Sequence, residues 1–176
     1  MPAFTVIDHT ELGASASSWD VTSIPSSYDH LLVKVSARSD SSGTYGGEVH
    51  VTFNGDTGSN YSGTLLWAYQ SPPQSTRASG AAYMNYSYVS GASQAANTFG
   101  SATYWIPNYS NTANFKQMIS KSAAEDASST ALDWIVATEA GLWSSTAAVN
   151  QITLTAGAAD NFVQYSTFTL YGVTGA

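Results

Sequence analysis

The sequence contains no cysteine. That excludes disulfides, thiolate metal sites and a thiol nucleophile, and leaves stability to packing and sheet hydrogen bonds. Charge is nearly as sparse: Lys, Arg, Asp and Glu make up 10% of the 176 residues, against roughly a quarter in ordinary globular domains. Five Lys and Arg and a net charge of −7 argue against a nucleic-acid partner, because phosphate binding is dominated by basic side chains. No apolar run approaches the roughly 18 residues of a membrane helix, so no membrane partner is expected. The opening residues Met1-Pro2-Ala3-Phe4-Thr5-Val6 lack the basic and apolar regions of a secretory signal, so synthesis in the cytosol without export by that route is the expectation.

Polar positions are filled instead by Ser, Thr, Asn, Gly and Tyr. Such a surface suits close contact with neighbours or with sugars, since neutral polar groups lose less on desolvation than charges do. Aromatic residues reach 12%, with 11 Tyr and 5 Trp, as in sheets whose large rings pack across strands. Alternation of period two recurs. In Leu31 to Arg38 one face carries Leu31, Val33, Val35 and Ala37 and the other Lys34, Ser36 and Arg38; Val49, Val51 and Phe53 alternate with His50 and Thr52. Phe4 and Val6, Trp19 and Val21, and Ile152 and Leu154 repeat the pattern on shorter pieces. The segment 161–172 has bulky residues on both faces, which predicts a central strand covered on both sides. Turn signals at Ser42-Gly43, Gly46-Gly47, Asn54-Gly55-Asp56, Ser71-Pro72-Pro73, Ser90-Gly91 and Ala156-Gly157 separate the strands. The expectation is an all-β fold, an antiparallel, jelly-roll-like β-sandwich occupying residues 1–176 as one domain. The best helical candidate, Ser120 to Ala131, has no apolar stripe and reads equally well as a loop.

Candidate chemistry is thin. Asp56-Thr57-Gly58-Ser59 matches the string of aspartic proteases, but those enzymes need a second carboxylate sharing one proton. The string occurs once and follows Asn54-Gly55, a hairpin signal. His9, His30 and His50 show no His-x-His or His-Glu-x-x-His spacing, and Asp8-His9 and Asp29-His30 point to opposite faces of a strand. They read as surface or interface histidines near strand ends. No Gly-x-Ser-x-Gly elbow supports a serine nucleophile. Glu48, Asp56, Glu125, Asp126, Asp133 and Glu139 supply carboxylates for glycoside hydrolysis only as any chain of this size would. No catalytic residue, metal set or cofactor is assigned. Asn60-Tyr61-Ser62, Asn85-Tyr86-Ser87 and Asn108-Tyr109-Ser110 fit the glycan acceptor pattern and are given no glycan.

The aromatic stretch is the stronger signal. Trp67, Tyr69, Tyr83, Tyr86, Tyr88, Tyr104, Trp105 and Tyr109 either fill the sandwich or stand exposed as stacking platforms and interface anchors. Met84, Tyr86 and Tyr88 share one strand face, which reads as core. Trp105 and Tyr109 flank Pro107 in an expected loop. Trp67, Tyr69, Trp105 and Tyr109 are therefore the candidate ligand or interface residues.

Three stretches carry a resemblance. Ile24-Pro25-Ser26-Ser27-Tyr28-Asp29-His30-Leu31, Val51 to Tyr61 with Phe53-Asn54-Gly55-Asp56 at its centre, and Gly141-Leu142-Trp143 followed by Ile152-Thr153-Leu154-Thr155 and Phe162 to Gly172 resemble, in that order, a group of tailed-bacteriophage virion proteins. Their closing strand here reads Gln164-Tyr165-Ser166-Thr167-Phe168-Thr169-Leu170-Tyr171-Gly172. Residues 71–97 diverge. The resemblance implies a jelly-roll-like sandwich in the virion, displayed on capsid or tail, and no enzyme. Two roles follow as expectations. One is a capsid decoration or cement protein, a homotrimer bound to the major capsid protein or another virion protein. The other is a receptor-binding or carbohydrate-binding module of the tail or a head fibre, taking a host surface glycan.

Overall fold

A computed structural model describes residues 3–43, 46–69, 72–126, 134–157 and 159–175, and of residues 85 and 86 the backbone alone. The described residues form twelve strands and no helix: β1 (Ala3–Glu11), β2 (Ser18–Val21), β3 (His30–Ala37), β4 (Gly47–Phe53), β5 (Tyr61–Tyr69), β6 (Gln74–Ala81), β7 (Met84–Val89), β8 (Gly100–Pro107), β9 (Lys116–Ala124), β10 (Ile135–Trp143), β11 (Ile152–Ala156) and β12 (Thr167–Thr174). Eight of them make one antiparallel sheet in the order β1-β12-β3-β8-β9-β10-β5-β6, and four make the other, β2-β11-β4-β7. The expected all-β sandwich is what the chain forms. Successive strands β1 to β4 alternate between the two sheets, while the hairpins β5–β6 and β9–β10 lie wholly in the larger one and widen it.

The alternation read in the sequence decides which faces meet. Strand β3 buries Leu31, Val33, Val35 and Ala37 and turns Lys34 and Ser36 to solvent. Strand β4 sends Val49, Val51 and Phe53 inward. The main core joins these to Trp19, Tyr104, Tyr109, Trp143, Ile152, Leu154, Phe162, Phe168 and Leu170, each fully buried large side chain contributing about 1.5–3 kcal/mol. Trp19 stacks on Phe168 with ring centroids 5.4 Å apart. Because the smaller sheet has half as many strands, part of the larger sheet's inner face extends beyond it. Where edge strand β7 of the smaller sheet packs on β5, β9 and β10, Leu65, Tyr88, Ala124, Ile135 and Ala137 form a second cluster.

Three expectations are corrected. Residues Ser120–Ala124 are the end of strand β9, because Ser120, Ser122 and Ala124 alternate inward with Lys121 and Ala123 outward; Ala127 to Ala131 lie outside the described residues. The closing strand begins at Thr167 and is covered on one side only: Phe168 and Leu170 are buried, whereas Thr169 and Tyr171 are half-exposed. Trp105 and Pro107 belong to β8 rather than to a loop, and Tyr109 is buried in the core.

The stretches that carry the resemblance meet in pairs and hold the fold together. Asn54 and Gly55 take positive φ of 53° and 65° in a turn closed by the Asp56 amide on the Phe53 carbonyl at 2.9 Å; it carries the chain from β4 in the smaller sheet to β5 in the larger, so the expected hairpin is not formed. The Asp56 carboxylate then accepts hydrogen bonds from the Gly58 amide at 2.8 Å, Asn60 Nδ2 at 2.9 Å and the Trp143 indole Nε1 at 2.7 Å. Tyr61 Oη accepts from the Phe53 amide at 3.0 Å and donates to the Asp56 carbonyl at 3.0 Å. Asn54 donates to the Ala148 carbonyl at 2.8 Å and accepts from the amides of Asn150 and Gln151. In the second pairing Tyr28 lies over Gly172, where any Cβ would run into its ring. The Asp29 amide donates to the Val173 carbonyl at 2.9 Å, and the Tyr109 hydroxyl donates to the Pro25 carbonyl.

Candidate interaction surface

The four aromatic residues singled out in the sequence do not assemble into one groove. Trp67 and Tyr69 point to the inner side of β5, half-buried against Leu65, Tyr88, Ala124, Ile135 and Ala137. Trp105 stands on the opposite, outer face of the same sheet, half-buried between its strand neighbours. Tyr109 is fully buried, its hydroxyl directed at the Pro25 carbonyl, so it offers no platform. Met84 and Tyr88 are core, as their shared face implied; the side chain of Tyr86 lies outside the described residues.

The other chemical candidates resolve into structure. Asp56, in the protease-like string, sits in the β4–β5 turn with its carboxyl held below the ordinary carboxylate range, chiefly by the Trp143 indole and then by Asn60 and the Gly58 amide. Glu48 is on the outer side of β4, Glu139 is buried on the inner side of β10, and Glu125 and Asp126 follow β9. Apart from the consecutive Glu125 and Asp126, these carboxylates occupy separate elements; Asp133 lies outside the described residues. His9 meets Thr169 Oγ1 at 2.8 Å, His30 Nδ1 accepts from the Asn108 amide at 3.2 Å, and His50 stacks on Tyr83 with centroids 3.9 Å apart. Among the described residues no three His, Asp or Glu side chains are grouped to hold a metal.

A different surface emerges from the register. The outer face of the smaller sheet is polar, made of Ser18, Asp20, Glu48, His50, Thr52, Thr153 and Thr155. The outer face of the larger sheet is not. Its cross-strand partners run Val6↔Tyr171, Tyr171↔Leu32, Leu32↔Trp105, Trp105↔Ile119 and Ile119↔Ala140. This is an unbroken apolar row across six adjacent strands, about 24 Å long at ordinary strand spacing. Exposure along the face is high for such residues: Phe4 57%, Val6 55%, Ile119 44%, Val136 51% and Leu66 59%. Phe4 packs edge-on against Tyr171 with centroids 6.3 Å apart.

Shallow concavities lie on this face, one of them along the row. One of about 250 Å³ is lined by Trp105, Pro107, Gln117, Met118, Ile119 and Ala140. Another of about 200 Å³ lies among Leu66, Trp67, Ala68, Pro73 and Val136 to Thr138. Isolated exposed apolar residues are ordinary on soluble proteins, but a contiguous apolar band marks a contact site.

Sequence reasoning identified Trp105 but not the row. Leu32 and Ile119 each stand between polar residues on their strand's outer face, His30 and Lys34 in one case and Gln117 and Lys121 in the other, so strand by strand they read as exceptions. Only the order β1-β12-β3-β8-β9-β10, which pairs strands far apart in the chain, lines the exceptions up. No family model matches the chain, and no curated protein or solved structure is significantly similar to it.

Proposed function

We propose that the protein is a structural component of a tailed-bacteriophage virion, a decoration or cement protein that binds the outer shell as a homotrimer and stabilises it. The observation that carries this reading is the apolar row Val6-Tyr171-Leu32-Trp105-Ile119-Ala140 on an otherwise weakly charged domain. A broad, flat contact face suits burial against another protein, whereas small-molecule chemistry favours a deep cleft. Strand order supports the jelly-roll part of the reading. With the two widening hairpins set aside, β1-β12-β3-β8 faces β2-β11-β4-β7, and the chain passes from one sheet to the other at every step except β4 to β7, which pair within the smaller sheet, the two-sheet arrangement of that fold. The resemblance of the Asn54-Gly55-Asp56 turn and closing-strand motifs to phage particle proteins supports the location in this reading. Stabilisation then follows by mass action, because a ligand that binds the assembled shell better than free subunits shifts the equilibrium toward assembly.

The receptor-binding or carbohydrate-binding reading is second. It rests on Trp105 and the concavity beside it, with Trp67, Tyr69 and Tyr109 no longer part of one platform.

Adding purified protein back to particles that lack it, followed by heat challenge and sedimentation of the free protein, tests the proposal. Saturable binding to the shell with slower loss of intact particles is expected, together with a trimeric mass. Binding confined to tails, or adhesion to host polysaccharide with no gain in heat resistance, would replace it with the second reading.

A further inference from the structure

The charge on the apolar face indicates what covers it. Of the five basic residues, two are absorbed internally. Arg38 donates to the carbonyls of Gln94, Ala95 and Thr98 at 2.8, 2.8 and 3.1 Å. Lys116 is 2% exposed and donates to the carbonyls of Asn114 and Thr146. The other three, Lys34, Arg77 and Lys121, are all exposed and all on the outer face of the larger sheet. None of the three has an ion pair among the described residues. Lys34, Thr103 and Lys121 are successive cross-strand partners, so the two ammonium groups are rooted about 10 Å apart, in a row about 7 Å from the apolar one. Arg77 pairs with Thr64, which pairs with Ala140, and so closes the apolar row at its far end. Acid is nearly absent here: Glu11 is the one acidic residue at an outward strand position of this sheet among the described residues, on edge strand β1, and Glu125 stands at the rim past β9.

A chain of net charge −7 thus keeps its free cations on one face and, Glu11 aside, the acids among its described residues off the outward strand positions of that face. We infer that this face docks onto an acidic protein surface, a ridge of apolar side chains flanked by carboxylates, rather than onto the same face of a second copy, which would set cation rows against each other. Size agrees. Eight strands of about eight residues span roughly 34 by 25 Å, or about 850 Å², close to the ~800 Å² each partner gives to a stable interface. This inference rests on the virion reading and names the chemistry of the shell surface that would receive the protein.

The test is binding to particles that lack the protein, comparing wild type, Ile119→Asp, and the double variant Lys34→Glu/Lys121→Glu. All three positions are exposed, and unchanged melting temperatures confirm that the variants fold. Expected are at least a tenfold loss of affinity for each at about 50 mM salt, and for the lysine variant a deficit that shrinks toward about 1 M salt, where the screening length is near 3 Å. Failure of wild type to bind the particles would overturn the virion reading and this inference with it. Wild-type binding that both variants retain would overturn the inference alone, as would a lysine deficit independent of salt or a shell footprint on the polar face of the smaller sheet.

Discussion

Replacing Asp56 tests whether the Asn54-Gly55-Asp56 turn motif is a structural tie. The Trp143 side chain is 3% exposed, so in Asp56→Ala its indole N–H loses the acceptor at 2.7 Å with little access to water. An unsatisfied buried donor costs about 1–3 kcal/mol. The bonds to Gly58 and Asn60 are exposed and add about 0.5 kcal/mol each at most. The sum is about 1–4 kcal/mol, and at about 2–4 °C per kcal/mol for a domain of this size the melting temperature should fall by about 2–16 °C. Asp56→Asn, which keeps an acceptor but not the charge, should fall between. The carboxyl is held below its ordinary value of 3.8 in the folded state, so the unfolded chain takes up the proton more readily. Its contribution is present above about pH 4 and is lost as pH falls through the folded pKa. Calorimetry of wild type and Asp56→Asn should therefore show a gap at pH 7 that closes as the carboxyl is protonated in acid. A shift under about 1 °C for Asp56→Ala would refute the tie, and a gap unchanged in acid would refute the role of charge.

At the opposite end of the titration range, Tyr61 is pushed up to about 12, mainly by burial, so its folded value lies above the unfolded one. The stability it contributes is whole below about pH 10 and is lost as pH rises toward 12; Tyr61→Phe should show a shallower loss over that interval in denaturant titrations. Gly172→Ala should cost about 1–3 kcal/mol by displacing the Tyr28 ring, read as a lower urea midpoint with unchanged slope. Arg38→Met should cost about 2 kcal/mol, because it strips the cation from the carbonyls of Gln94, Ala95 and Thr98, and hydrogen exchange should rise first in residues 92–98.

The sequence shows which faces of the strands are core because that needs only local alternation. Leu31 to Ala37 and Val49 to Phe53 each carry the pattern in full. Turn chemistry is equally local, but not what the turn joins: Asn54-Gly55 reads as a hairpin and is a turn with both residues at positive φ, yet β4 and β5 go to different sheets and do not pair. The end of β9 is missed because its inward residues are Ser120, Ser122 and Ala124, small groups that give no apolar stripe of either period. The closing strand reads as covered on two faces because Tyr165 and Val163, which precede it, add to the face of Tyr171 in the linear pattern. Tyr109 reads as a surface ring because its neighbours Pro107, Asn108 and Ser110 are turn formers; the core reaches past the end of β8 to enclose it. The contact face is the deepest omission. It depends on register between strands separated by as many as 165 positions, as for Val6 and Tyr171, and on which cations are absorbed by backbone carbonyls. Neither is visible in a linear pattern. The motifs that carry the resemblance, by contrast, are legible for the reason that they are internal ties, and for the same reason they name no partner.

The most direct measurement is a cryo-electron microscopy map of particles reconstituted with the purified protein, at a resolution that orients the two sheets. The account predicts symmetric density over the shell with Val6, Leu32, Trp105 and Ile119 facing coat protein and Lys34 and Lys121 opposite carboxylates. Density that seats the protein through Ser18, Asp20, Thr52 and Thr153, leaving the eight-stranded sheet open to solvent, would contradict it.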